Sequence, residues 1–402
     1  LFGLSIPKAI KAGATVGIGL VGVSIVSTLT ANSLGPVINE AVNVLHLNLT
    51  AIDVGGSPAA AVGFGGLVSA TLIVFVIGNF WLGILAGVSH AILGLKVADI
   101  MAHRTQQIIG IEAIAIPHGF AAASAPFFMV LDKIYDRIPY FAHKPIEDDY
   151  VEDEGKGFTH IIGAIFGERI YLGLIMGMFF GIVAGYDFKG IADVTIKTAA
   201  LMELFPMVVK MLVNGLIPIS NQAKSFFVKH FPDRSLNIGL DSAVTIGHPV
   251  TISVGFLMIP FFMIFAAILP GNITLPLGEV PFAAFYVCFA TIVHRANKRR
   301  TIMSSLIFLP IVLYISSWAA PLFTQLAKGA GMDLVAKGQF ATTTALGNLF
   351  ILIPTLLAEV PGVGFVLLIA LDVVVIFGGK VLEKYYAKED AKFEETIGIE
   401  SM

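Results

Sequence analysis

The chain has 402 residues, of which 56% are hydrophobic and only 13% charged, and its mean hydropathy is +0.86. A soluble globule carries about a quarter of its residues charged and a disordered chain more, so both classes are excluded. Lys and Arg number 25 against 28 Asp and Glu, which leaves no basic field for nucleic acid, and the single cysteine, Cys288, excludes an internal disulfide or a cysteine metal site.

An apolar chain of this kind crosses a bilayer as helices or as a closed barrel, because each backbone polar group needs a partner. Barrel strands alternate apolar and polar residues, whereas the apolar runs here are continuous, so the crossings are helices. In chain order the runs cover 13–31, 62–79, 81–98, 166–186, 252–270, 280–294, 301–322 and 360–378. Each is near the roughly 20 residues that a crossing needs. Two further stretches, 111–131 and 346–358, contain prolines or run short, as broken helices do. The glycines of Val16–Gly22 lack the spacing of a dinucleotide loop and read as close helix packing. No phosphate loop, zinc spacing or Ser-His-Asp arrangement is present, and no metal or cofactor is expected.

Charges gather between the spans. The polar stretch 142–158 divides the chain into halves. The cluster His294-Arg295-Ala296-Asn297-Lys298-Arg299-Arg300 predicts a cytoplasmic loop by the positive-inside rule, and the tail beyond Gly379 reads as solvated and cytoplasmic. No cleavable signal peptide is legible near Leu1.

The halves share an order of features. Residues 9–53 and 195–241 each run through Ile-Lys, an apolar helix, a proline break, an amphipathic helix and a loop ending in Asp. The basic cluster of the second copy answers to the uncharged Ile77-Gly78-Asn79-Phe80-Trp81 of the first, the charge contrast expected of inverted-topology repeats. Asp241 to Asn297 spans 56 positions but Asp53 to Asn79 only 26, so about one helix is expected to be missing between Pro58 and Gly65. A preceding N-terminal helix is expected to be absent as well. The expected fold class is an all-α polytopic membrane protein of two inverted repeats with broken or re-entrant helices.

Ionisable groups at interruptions of apolar segments are the strongest functional signal in such a chain. Asp53 lies in Ala-Ile-Asp-Val-Gly-Gly-Ser-Pro, and its repeat partner Asp241 lies in Gly-Leu-Asp-Ser-Ala with His248-Pro249 seven residues on. Glu112, His118 and Gly119 lie in Ile-Glu-Ala-Ile-Ala-Ile-Pro-His-Gly, and Thr342-Thr343-Thr344 is the counterpart of Pro117-His118-Gly119 in the second copy. A carboxylate accepts from hydroxyls and a neutral imidazole donates and accepts, so such a set suits a small polyol. Each residue also has a structural alternative. Asp53 and Asp241 fit helix N-caps, His118 and His248 fit packed imidazoles, and Glu112 fits an internal ion pair. His46 and His90 read as structural or interfacial, and Asp372 faces protein or water.

These segments resemble the membrane (IIC) component of the galactitol family of the sugar phosphotransferase system, with the ascorbate transporters as a more distant likeness. The resembling runs include GIGLVGVSIV (17–26), SLGP (33–36), IEAIAIPHG (111–119), IKTAALMELFP (196–206), IGLDSAVTIGH (238–248), ILPGNITLPLGE (268–279) and VHRANKRRT (293–301). The resemblance implies a homodimer in a bacterial cell membrane, with a V-shaped scaffold and a transport core that moves to give alternating access. It divides the chain into scaffold at 1–52 and 166–236, core at 53–135 and 237–358, a polar linker at 136–165, and a last helix and tail at 359–402. It implies galactitol or a related polyol as substrate, and Asp53, Glu112, His118, Gly119, Asp241, His248 and Thr343 as candidate sugar ligands. It further implies cytoplasmic IIB and IIA partners. The phosphocysteine of IIB completes the chemistry, so no residue of this chain is expected to be catalytic alone.

Overall fold

The computed structural model describes residues 4–44, 50–53, 80–141, 169–230, 237–275, 283–329 and 338–397. The expected span at 62–79, the helix expected to be missing near 58–65 and most of the polar linker lie outside the described residues. Two long helices and a shorter one form one packed group: α1 (Ile6–Val44), α5 (Arg169–Val183) and α6 (Phe188–His230). At 1.5 Å per residue, the 43 residues of α6 run about 65 Å, twice a hydrocarbon core, with Pro206 and Pro218 inside. Glycine permits the closest approach here. A Cβ on Gly19 would stand 2.7 Å from the Leu212 backbone, and one on Gly215 would stand 2.7 Å from Val16 N. Lipid tails provide no hydrophobic drive between helices, so this close van der Waals packing holds the pair.

A second group follows: α2 (Phe80–Ile100), α3 (Ala102–Ile109), α4 (Ala125–Tyr135), α7 (Ala243–Ile246), α8 (Pro249–Ile268), α9 (Ala283–Val293), α10 (Lys298–Gly329), α11 (Leu349–Ala358) and α12 (Gly364–Ile397). Six helices of the described residues are long and apolar enough to cross a membrane, and α5, α9 and α11 are shorter apolar helices. The chain is an all-α polytopic membrane protein. The stretch 111–131 is not one helix: it contains a two-residue strand, a 3-10 turn at Ala121–Ser124 and the start of α4.

Extended breaks interrupt the bundle, and they pair with one another. Strand β1 (Ala51–Asp53) lies parallel between β4 (Thr274–Leu275) and β5 (Phe340–Thr342), while β2 (Ile114–Ala115) pairs in parallel with β3 (Ile238–Gly239). Unpaired backbone is costly in a dry interior, which explains these ladders. Ile238 N donates to Ala113 O and Leu240 N to Ala115 O, both at 2.8 Å. Side chains supply the rest: Ser317 Oγ accepts from Ile273 N at 3.1 Å and Thr274 N at 3.2 Å, and Thr324 Oγ1 accepts from Ala341 N at 2.7 Å. Each ladder joins a strand of the first half to strands of the second, which places the candidate residues beside one another.

The tail corrects an expectation. It continues α12 as an amphipathic helix: Lys380, Lys384, Lys388 and Lys392 are exposed, but Tyr386, Asp390 and Glu394, spaced one turn apart, are buried against the protein. A solvated tail was expected because the sequence around these acids contains no sign of their distant partners.

Candidate functional site

Strand β2 ends at Ala115, and the chain turns through Pro117-His118-Gly119 into the 3-10 turn. His118 Nδ1 accepts from Ala121 N at 3.2 Å, which leaves the ring proton on Nε2. Nε2 points toward Asp241 Oδ2 at 3.7 Å, beyond hydrogen-bond length. Asp241 follows β3, and its Oδ1 accepts from Ala243 N at 2.7 Å as the cap of α7. Both the cap and the ligand alternatives therefore meet in one carboxylate: one oxygen holds the helix and the other faces the imidazole. The Asp241 side chain is 54% exposed and that of His118 29%. The donor Nε2 and the acceptor Oδ2 are thus reachable and close enough for one small hydroxylated guest to touch both. The rings of Phe285 and Phe120 lie 5.8 and 6.3 Å from the His118 ring.

The second break adjoins the first. Thr343 follows β5, where Asp53 stands opposite Thr342 in register. Thr343 is buried, and its Oγ1 accepts from Ala345 N at 3.3 Å. The side chain of Asp53 lies outside the described residues. Asn348, which was not among the expected ligands, joins the breaks: its Nδ2 donates to Gly119 O at 3.0 Å and its Oδ1 accepts from Phe350 N at 2.8 Å. An Asn directly before an apolar run is an N-cap signal that the sequence did carry.

Two further candidates make bonds that hold the fold. His248 Nδ1 accepts from Val250 N at 3.2 Å and caps α8. Glu112 pairs with Lys224 on α6, both side chains about half exposed, and its carbonyl accepts from Ser220 Oγ at 2.7 Å. Glu112 therefore ties the first break to the long helix, and its charge is matched away from His118.

A separate polar cluster escaped sequence reading. Arg104 on α3 is 1% exposed; it donates to Asp390 Oδ1 and Glu389 Oε1, each at 2.8 Å, and to Val293 O at 2.5 Å. Asp132, fully buried, accepts from Arg300 Nη1 at 2.7 Å and contacts His294 Nδ1 at 2.8 Å. Burial alone pushes the Asp132 carboxyl up, but His294, Arg104 and Arg300 outweigh it and hold the group well below the usual carboxylate range. Arg295 reaches Asp390 at 2.6 Å, and His103 lies 3.5 Å from Asp390 and 3.4 Å from Glu394. The loop 294–300 is therefore no free cationic patch, since His294, Arg295 and Arg300 are committed to acids. A cavity of about 340 Å³ beside it is lined by Lys133, Asp136, Arg295, Tyr385, Glu389 and Phe393.

The family of sugar-specific permease components of the phosphotransferase system matches residues 1–78 and 65–338 of the chain. The chain belongs to this family. A protein of Escherichia coli (strain K12) named as a permease IIC component, with no sugar in its name, is 38% identical over 379 residues, covering 85% of each chain. A "PTS system galactitol-specific EIIC component" of the same strain is 32% identical over 384 residues, covering 87% of this chain and 83% of its own, and its namesake in strain O157:H7 matches equally. The chain is thus a multi-pass membrane permease component of the sugar phosphotransferase system, a class that works with cytoplasmic IIB and IIA components.

Proposed function

We propose that this permease component carries galactitol or a related polyol, binding it between His118 and Asp241 with Gly119, Thr343 and Asp53 completing the site. The facing Nε2 donor and Oδ2 acceptor, 3.7 Å apart at the meeting of two chain breaks, carry this reading. The 32% identity to a galactitol-specific component supports the choice of polyol. The two halves act as inverted repeats in a homodimer, and the core moves against the α1, α5 and α6 scaffold to give alternating access. A IIB phosphocysteine then transfers its phosphoryl group to a hydroxyl of the arriving sugar: the S–P bond breaks, an O–P bond forms, and the hydroxyl proton leaves. The ester carries roughly −1.5 to −2 charges at neutral pH, so the product cannot return through an apolar barrier. Positioning dominates such transfers, and it is what His118 and Asp241 supply.

The test is uptake into proteoliposomes holding the chain, with phosphoenolpyruvate, the soluble phosphotransferase components and labelled galactitol. Galactitol phosphate appears in step with uptake. Free polyol accumulating on an ion gradient, with no ester formed, would contradict the reading and point instead to an ion-coupled secondary transporter.

A further inference from the structure

His90 stands midway along α2, fully buried, where an imidazole is expensive unless it is used. Its Nδ1 lies 3.1 Å from Phe350 O. A carbonyl only accepts, so Nδ1 carries the proton and Nε2 is an acceptor. Among the described residues, this Nε2 is the one buried ring nitrogen without a hydrogen-bond partner.

What Nε2 meets is the bare Cα of Gly119. A Cβ built on Gly119 would stand 2.2 Å from Nε2, so no residue but glycine fits this contact. One turn further along α2, a Cβ on Gly94 would stand 3.5 Å from Pro117 O and 3.8 Å from Gly119 Cα. The His90 and Gly94 stripe is thus the wall against which the Pro117-His118-Gly119 break rests. His118 offers a proton at its Nε2, whereas His90 offers a lone pair, so the two imidazoles are complementary in what they ask of a hydroxyl.

We propose that His90 is a further polyol-binding residue: when the Pro117–Gly119 break shifts during transport, His90 Nε2 accepts a hydrogen bond from one substrate hydroxyl. The inference rests on the polyol reading above and adds a specificity contact to it. Galactitol is meso: its six hydroxyls form three mirror-related pairs, and a chiral site distinguishes the two members of each pair. A single acceptor reads one of them.

The experiment measures binding of galactitol and both enantiomers of its 1-, 2- and 3-deoxy analogues by calorimetry to the full chain in nanodiscs, with His90→Leu and His90→Gln compared with the wild type. Removing an acceptor from a buried hydroxyl contact weakens galactitol about tenfold or more in His90→Leu. One deoxy analogue, lacking the hydroxyl that His90 reads, binds wild type and His90→Leu alike. His90→Gln, which keeps an acceptor oxygen, retains discrimination against that same analogue; it serves as the test should His90→Leu fail to fold. An equal loss across galactitol and all of the analogues, or no loss at all, would overturn the assignment. Wild-type protein that binds none of these polyols would bring down the proposed function itself, a result distinct from either.

Discussion

The break around His118 and the region near residues 294–300 both hold histidines and acids, but they treat them in opposite ways. Around Asp132 the charges are buried and paired with one another: three arginines, a histidine and the acids of the last helix close on one another at 2.6 to 3.5 Å. Around His118 the groups are few and half exposed, and each keeps one valence beyond its capping bond. Buried charge that is paired holds a fold, because unpairing it leaves an uncompensated ion in a poor solvent. Polar groups with one bond made and one unfilled are ready for a guest. The difference separates stability from recognition within a single chain.

The sharpest way to break the comparison is to unpair the cluster. Asp132→Ala leaves Arg104, Arg300 and His294 without their shared acceptor, and a loss of about 3–5 kcal/mol of stability is expected, read as a fall in the unfolding midpoint in detergent. Polyol affinity of the protein that remains folded is unchanged. The mirror experiment is His118→Leu, which removes the proton aimed at the site. Binding weakens by about 0.5–1.5 kcal/mol, as for one hydrogen bond between neutral groups. The unfolding midpoint falls far less, because only one cap is disturbed.

Glu112→Gln sharpens the boundary between the regions. Its half-exposed pair with Lys224 is worth at most about 1 kcal/mol, and calorimetry detects no change in polyol affinity. The smallest effect is one of pH. The hydrogen bond to Asp390 raises the His103 pKa above its ordinary value, against partial burial. A raised folded-state value means that the pair stabilises the protein fully below the ordinary histidine range, and that this contribution disappears as pH rises through the folded value. His103 is 47% exposed, so solvent screening keeps the effect below about 1 kcal/mol. The midpoint falls slightly between pH 6 and pH 8.5, and His103→Gln abolishes that difference.

Much of this contrast was legible in the sequence on one side only. The crossings follow from apolar run length, and the breaks from Gly and Pro within those runs. Asp241 and His118 stood out because an ionisable side chain at a break needs a reason. The cluster did not stand out, because it is built from pairs such as Arg104 with Asp390, far apart in sequence, and no local period marks them. The same distance hid the partner of Glu112, which is 112 positions away on α6, so the sequence could not choose between ligand and ion pair. His90 looked structural because its helix is unbroken; only the packing of α2 on Gly119 shows what its ring faces.

The most direct test of a site built between His118 and Asp241 is calorimetric binding of galactitol to Asp241→Asn in nanodiscs. Asparagine caps helices as well as aspartate does, so α7 keeps its first turn and the unfolding midpoint is unchanged. The charge that receives a hydroxyl is gone, and affinity falls about tenfold or more. Unaltered affinity in a protein of unaltered stability would show that the polyol is held elsewhere.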